Sequence, residues 1–367
     1  MTENFWYSYD KIRGYNATWN FIVSERGCGK TYGALKMVVK DFLKTRSQFI
    51  YLRRYRTELN KSVPRLFDAF VVNNEFPEFN FIVKGNKFYI KCKAEYEWAN
   101  IDPDEWQRKY ENNPKYKDPE ELFDGEEHLI GEAHALSTAN ILKSTNFSQV
   151  GTIVFDEFML ATGTYHYLRN EVETFCDAYE TIARLRDVKV YFLANNISIT
   201  NPYYAYFDIF TPYNSEFKTF RNGLIVVNYA KNDKYREAKH ESKFGRLIQG
   251  THYANYAFDN ASLSDNAFFL EKKNGNCRNI SIIRIGGKNY GIWQSKLDNK
   301  MYVSLDYDPK NPCIFTFDSK EHDEHTMLIR SKKSWFGMVV RNYQIGNLYF
   351  ETQAIKNVFL TILAKAL

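Results

Sequence analysis

Cysteine is sparse and without pattern in this chain. The five among 367 residues (Cys28, Cys92, Cys176, Cys277 and Cys313) are odd in number, widely spaced and never arranged as CxxC. That excludes a disulfide framework and a cysteine-rich zinc site, and it fits a reducing compartment. Long apolar runs are missing as well: no stretch reaches the ~18 to 20 residues of a membrane span, and Met1-Thr2-Glu3-Asn4 does not open a basic and then apolar leader. A soluble, intracellular protein is expected. Nor is there a large charge excess, because 49 Lys and Arg against 44 Asp and Glu leave only +5. An excess this small names no nucleic-acid partner by itself, so any DNA contact is local. No internal repeat is visible.

What the chain does have is core-forming material. A hydrophobic share of 44% and an aromatic share of 17% describe a globular protein, and its length suits two or three domains of ~100 to 200 residues. The first half alternates short apolar runs with amphipathic stretches, the pattern of a parallel sheet covered by helices. Residues 18–23 read as a strand. Apolar residues then recur at Ala34, Leu35, Val38, Val39 and Phe42 with helical spacing, and residues 48–52 form a second strand. Residues 79–83 and 87–92 read as a hairpin around Gly85-Asn86. Strands follow at 151–155 and 188–193, with a helix at 170–185 between them.

Three other segments stand apart. Residues 101–127 carry ten acidic and four basic side chains with Pro103, Pro114 and Pro119, a solvated insertion or lid. Residues 231–246 form a charged helical connector with six basic and three acidic residues. Beyond 265 come consecutive strands at 279–285, 289–294 and 301–305, then a helix whose Ile355, Val358, Phe359, Ile362 and Leu363 share one face. That face is expected to pack on its own domain's sheet.

Two motifs carry the chemistry. Ser24-Glu25-Arg26-Gly27-Cys28-Gly29-Lys30-Thr31 lies between the first strand and its helix, where backbone N–H groups and the helix dipole can be aimed at phosphate. Ser24 replaces the first glycine of the GxxxxGK[ST] pattern, while Gly27, Gly29, Lys30 and Thr31 keep its chemistry. Lys30 is expected to meet the β and γ oxygens of ATP and Thr31 to ligate Mg²⁺. Thr152-Ile153-Val154-Phe155-Asp156-Glu157 is a buried strand ending in two carboxylates, a Walker B pattern. There Asp156 would hold the magnesium ion and Glu157 would polarise the attacking water.

Alone, the first motif could be a chance Gly-Lys-Thr turn and the second a surface turn. Together they predict an ATP hydrolase. Asn195, at the end of a further core strand, is a candidate γ-phosphate sensor, its plain alternative being a polar strand cap. Arg184 and Arg186 close the preceding helix, where basic side chains favour the negative end of the dipole.

In this order of segments the chain resembles the genome-packaging ATPases of small short-tailed bacteriophages, the phi-twenty-nine-like type. The resemblance is carried by residues 21–32, 48–55, 83–90 and 152–158, by Asn195 with Asn201-Pro202-Tyr203, and by residues 244–251. It implies an ASCE-type P-loop ATPase domain (1–230, with 101–127 as insertion or lid), a small helical linker (231–264) and a C-terminal α+β RNase H-like domain, a degenerate nuclease (265–367). It also implies a ring of subunits, five in number, on the portal of a prohead in the host cytoplasm, with or without an RNA adaptor, pumping double-stranded DNA inward. By position, Arg184 falls where the family has an arginine finger for the neighbouring subunit's ATP, Arg53 and Arg56 fall in its lid region, and Lys143 falls in a loop facing DNA. Residues 1–60 add eleven Lys and Arg against five Asp and Glu, part of which faces ATP or a neighbour. Gripping duplex DNA needs only phosphate contacts, and no base-reading motif is present.

The same residues bear on other readings. A terminase-like motor with a working nuclease needs clustered carboxylates, yet the strand at 279–285 carries Arg284 and no acid, and Asp306, Asp308 and Asp318 form no obvious constellation. Glu321-His322-Asp323-Glu324-His325 reads as a solvated acidic turn rather than a metal site. A P-loop scaffold that only binds ATP is disfavoured by Glu157. A helicase or other translocase stays open, whereas a filamentous-phage assembly ATPase would carry a membrane span.

Overall fold

The computed structural model describes the chain except residues 1–5, 101, 103, 105–118, 161–165, 196–200, 213–214, 231–232, 250–268, 330–334, 353, 357, 360–361 and 363–367. The chain divides into two compact units, Met1–Ile197 with Ser215–Phe258 and Ser198–Asn214 with Asp259–Leu367.

Unit 1 is built on a sheet of nine strands among the described residues: β1 (Trp19–Ser24), β2 (Gln48–Arg53), β3 (Phe79–Lys84), β4 (Lys87–Cys92), β5 (His128–Ala135), β6 (Val150–Asp156), β7 (Lys189–Asn195), β8 (Phe217–Phe220) and β9 (Ile225–Ala230). Their order is β3-β4-β5-β2-β6-β7-β1-β9-β8. The six central strands are parallel, and antiparallel pairings close both edges. β7 separates β1 from β6, so one strand stands between the two motif strands, in keeping with the ASCE arrangement.

Unit 1 carries α1 (Asp10–Gly14), α2 (Lys30–Thr45), α3 (Arg56–Ser62), α4 (Asp68–Val72) and α5 (Glu171–Ala183). The stripe Ala34, Leu35, Val38, Val39 and Phe42 of α2 is buried in the main core, as its spacing predicts. The hairpin β3–β4 turns at Gly85, whose φ of 63° is a left-handed conformation that glycine adopts at little cost. β5, β8 and β9 are additions that periodicity did not announce. In β5 the alternation is broken by Gly131, which the backbone and ring of Phe49 approach too closely for any side chain. Most of the acidic 101–127 segment lies outside the described residues. At its end Leu122 and Phe123 are buried in the core instead of solvated.

Unit 2 begins with α6 (Pro202–Phe207), whose N-cap Asn201 accepts from Tyr204 N. Its Ala205 packs on the core of the second sheet, and Asp208 pairs with Lys288. That sheet contains β10 (Cys277–Ile285), β11 (Lys288–Ser295), β12 (Met301–Ser304), β13 (Ile314–Thr316), β14 (Met327–Leu328) and β15 (Leu348–Phe350), ordered β14-β13-β10-β11-β12-β15. β10, β11 and β12 form an antiparallel meander, and β13, β14 and β15 join in parallel. Ile355, Val358 and Phe359 lie in this unit's core with Ile362 packed against it, the face the sequence expects; Leu363 is outside the described residues. The connector forms α7 (Asp233–Glu241) and α8 (Lys243–Ile248), which group with unit 1. α9 (Phe336–Gln344) completes unit 2.

Candidate active site

Parallel strands open their binding edge where they end, because the loops that follow diverge to neighbouring helices. β1 ends at Ser24 opposite Asn195 of β7, and β6 ends at Asp156 opposite Leu193. On the other side of β6, Leu52 lies opposite Phe155, so Arg53 follows beside Asp156. Four strand ends thus meet at one edge. They surround a cleft of about 340 Å³ lined by Arg26, Gly27, Gly29, Lys30, Thr31, Tyr32, Asp156, Glu157, Ala194 and Asn195.

The loop takes its shape from Gly27 and Gly29, with φ of 90° and 84°. Position 24 is not among the positive-φ residues, which is why serine is tolerated where the pattern has glycine. The buried Ser24 Oγ donates to Glu25 O at 3.0 Å and accepts from Lys30 Nζ at 2.7 Å. Lys30 Nζ also donates to Glu25 O at 3.0 Å and to Asn195 Oδ1 at 3.1 Å, which joins the loop lysine to the candidate sensor. Burial lowers the Lys30 pKa from its ordinary value, opposed by Cys28 and Asp156.

Thr31 Oγ1 lies 3.3 Å from each oxygen of Asp156. A hydroxyl beside a carboxylate is a hard-oxygen pair of the kind Mg²⁺ takes while keeping most of its waters, so the residues present fit that ion. Tyr51 donates its hydroxyl to Asp156 Oδ2 at 2.8 Å, and burial followed by the charge of Asp156 raises the Tyr51 pKa well above its ordinary value. Tyr51 therefore stays a donor.

Glu157 has a φ of 56°, a left-handed conformation that costs a non-glycine residue about 1–3 kcal/mol. Its N–H donates to Asp156 Oδ1 at 3.0 Å, and its carboxylate is half exposed at the cleft. Arg53 bridges the two acids, with Nη1 3.3 Å from Asp156 and Nη2 2.8 Å from Glu157. Burial disfavours the Arg53 charge, but Asp156, Tyr51 and Glu157 outweigh that and raise its pKa.

Arg54 was not singled out by any spacing. It is fully buried, donates to both oxygens of Glu171 at the start of α5, and also donates to Glu157 O at 3.2 Å and Phe158 O at 2.6 Å. The Arg53-Arg54 doublet at the end of a buried strand is the only trace of this in the sequence.

The remaining candidates lie elsewhere. Arg56 lines a separate cavity of about 650 Å³ with Asn60, Asn86, His134 and Thr138. Lys143 is exposed beside a small pocket shared with Asp177. Arg184, the C-cap of α5, is exposed with a φ of 44°, and its side chain has no hydrogen-bond or ion-pair partner among the described residues. Leu185 beside it is also left-handed and fully exposed. Arg186 differs: it donates to the carbonyls of Phe147, Ser148, Val150 and Ile182 and so ties α5 to the start of β6.

No group of three His, Cys, Asp or Glu suited to a metal ion occurs among the described residues, and no helix there is long and apolar enough to cross a membrane. In unit 2, Asp323 pairs with Arg284, Asp306 with Lys273 and Glu271 with Lys300.

The chain is 29% identical over 368 positions to the DNA packaging protein of Bacillus phage phi29, covering 100% of this chain and 99% of that one. It is 29% identical over 354 positions to the DNA packaging protein of Bacillus phage B103, with 96% of each covered. Its structure matches a chain of the bacteriophage Phi-29 viral genome packaging motor assembly with a TM-score of 0.69 at 27% identity, over 99% of this chain and 100% of that one. The family model described as Podovirus DNA encapsidation protein (Gp16) matches residues 1–125 and 115–367, and the chain belongs to that family.

Proposed function

We propose that this chain hydrolyses ATP to drive double-stranded DNA into a preformed prohead, as one subunit of a ring docked at the portal. The observation that carries the reading is the meeting of Lys30, Thr31, Asp156, Glu157 and Asn195 in one cleft at the end of parallel strands. ATP would lie on the loop from Ser24 to Thr31, with backbone N–H groups and Lys30 on its phosphates. Thr31 and Asp156 would hold Mg²⁺, which when bound neutralises phosphate charge. Glu157 accepts a proton from water as the water's oxygen attacks the γ-phosphorus; the bond to the bridging oxygen breaks, leaving ADP and phosphate. Asn195 reaches Lys30 and is suited to register the γ-phosphate. Full-length likeness to two DNA packaging proteins and to a motor-assembly chain supports DNA as the load.

Arg184 is the finger for the next subunit's ATP in this reading. Its exposure, lack of a side-chain partner among the described residues and projecting left-handed cap support action outside its own cleft. Lys143 touches a DNA phosphate, and Arg53 and Arg56 belong to the lid. Arg53 bridges the two acids, and Arg56 lines the other cavity.

Unit 2 is RNase H-like in this reading, supported by a meander β10-β11-β12 extended in parallel by β13 and β14. Asp306, Asp323 and Glu271 are engaged by basic partners, and in this reading the unit binds a partner and does not cut DNA. A pentameric ring, portal contacts with or without an RNA adaptor, and a host-cytoplasmic location complete the proposal. The test is ATP hydrolysis measured with and without proheads and duplex DNA: stimulation by both together is expected, and a rate indifferent to both contradicts coupling.

A further inference from the structure

Glu25 is chemically out of place. It puts a carboxylate into a loop whose N–H groups and lysine are suited to anions, and its side chain is only 2% exposed. An uncompensated buried carboxylate there would repel phosphate and lose its own hydration. The compensation comes from 211 residues away, where Arg236 of α7 donates through Nε and Nη2 to Glu25 Oε1 at 2.9 and 2.7 Å. Glu25 in turn accepts from Lys30 through its backbone carbonyl, so one loop residue touches both the phosphate-binding lysine and the connector.

A second contact points the same way. The Tyr235 hydroxyl stands where a Cβ on Gly27 would be, and the Trp6 ring lies 2.9 Å from where a Cβ on Gly29 would be. The two rings are 6.1 Å apart. Both glycines that shape the phosphate loop are therefore covered by aromatic side chains, one of them from α7.

We propose that α7 is a working part of the nucleotide site: Arg236 positions and neutralises Glu25 so that the loop accepts phosphate, and the helix thereby registers whether a nucleoside triphosphate is bound. This rests on the reading of the loop as an ATP site and deepens it. The chain runs from α7 through α8 towards Asp259, so the element that registers the nucleotide also lies on one of the covalent connections between the two units. Arg236 is a positioning residue, acting through Glu25.

The experiment uses the full chain and a fluorescent ATP analogue. Arg236→Gln is expected to weaken binding about tenfold or more, because it leaves a buried carboxylate beside the phosphate. Glu25→Gln/Arg236→Gln should bind more tightly than Arg236→Gln alone, since the repelling charge is gone. Arg236→Lys should fall between wild type and Arg236→Gln. In hydrogen exchange, residues 233–241 should become protected when wild type takes up the analogue and should not do so in Arg236→Gln.

Binding by Arg236→Gln within about twofold of wild type, with only the melting temperature lowered, marks a purely structural bridge and overturns the proposal. A double variant no tighter than the single one overturns it too. Failure of wild type to bind the analogue at all would instead refute the ATP reading on which the proposal rests.

Discussion

Arg54 and Glu171 form a two-pronged ion pair, Nε to Oε2 at 2.7 Å and Nη2 to Oε1 at 2.8 Å, with both side chains fully buried. The same guanidinium holds the carbonyls of Glu157 and Phe158, so it fixes the turn that carries the candidate general base and fastens it to α5, the helix that ends at Arg184. Replacing Arg54 by Ala strands the Glu171 carboxylate in the core, and a loss of about 3–5 kcal/mol in denaturant unfolding is expected. Arg54→Lys keeps the charge but not the planar fork. It should bind nucleotide near the wild-type level and turn over more slowly, and equal loss in both properties would argue against a positioning role.

Lys30→Ala and Glu157→Gln should fail in different ways. The first removes the charge that meets phosphate and should weaken nucleotide binding. The second keeps the loop intact and should leave ATP bound but unhydrolysed. Binding titrations beside phosphate-release rates separate the two. Turnover by Glu157→Gln at the wild-type rate would remove Glu157 from the base role.

The two motifs could be read from the sequence because each is a short, contiguous run whose strand lies beside it. The contacts that hold them in place could not. Arg54 meets Glu171 across 117 residues and Arg236 meets Glu25 across 211, and no spacing rule spans such gaps. β5 was hidden for a local reason, since Gly131 breaks its alternation to let Phe49 approach. Arg53 and Arg56 look alike in sequence, yet β2 ends at Arg53, beside Asp156, while Arg56 opens α3 and lines another cavity. The charge count of the connector does not reveal Arg236 folded onto a loop glutamate.

Lys143 is exposed, and a contact with DNA phosphate would release counterion. Lys143→Ala should therefore reduce the slope of log affinity against log salt by about one unit per engaged subunit. A slope identical to wild type assigns Lys143 to the solvated surface.

Arg184 allows a decision by magnitude. A finger acting in trans on a neighbour's ATP is worth ~10³ to 10⁵ in rate, whereas a basic residue at a helix end contributes only ~0.3 to 1 kcal/mol. Arg184→Ala should lose DNA-stimulated hydrolysis on the larger scale. Mixing it with Glu157→Gln subunits should restore part of the activity, because some interfaces then pair an intact Glu157 with an intact Arg184. A mixture no more active than its components would count against action in trans.

If hydrolysis at this cleft moves DNA into a shell, DNA packaging is its direct readout. Full-length protein, proheads, duplex DNA and ATP are combined, and the DNA that becomes protected from added nuclease is measured for wild type and for Glu157→Gln. Protected DNA is expected with wild type and none with Glu157→Gln, although that variant still binds ATP. Protection by Glu157→Gln equal to wild type would contradict it.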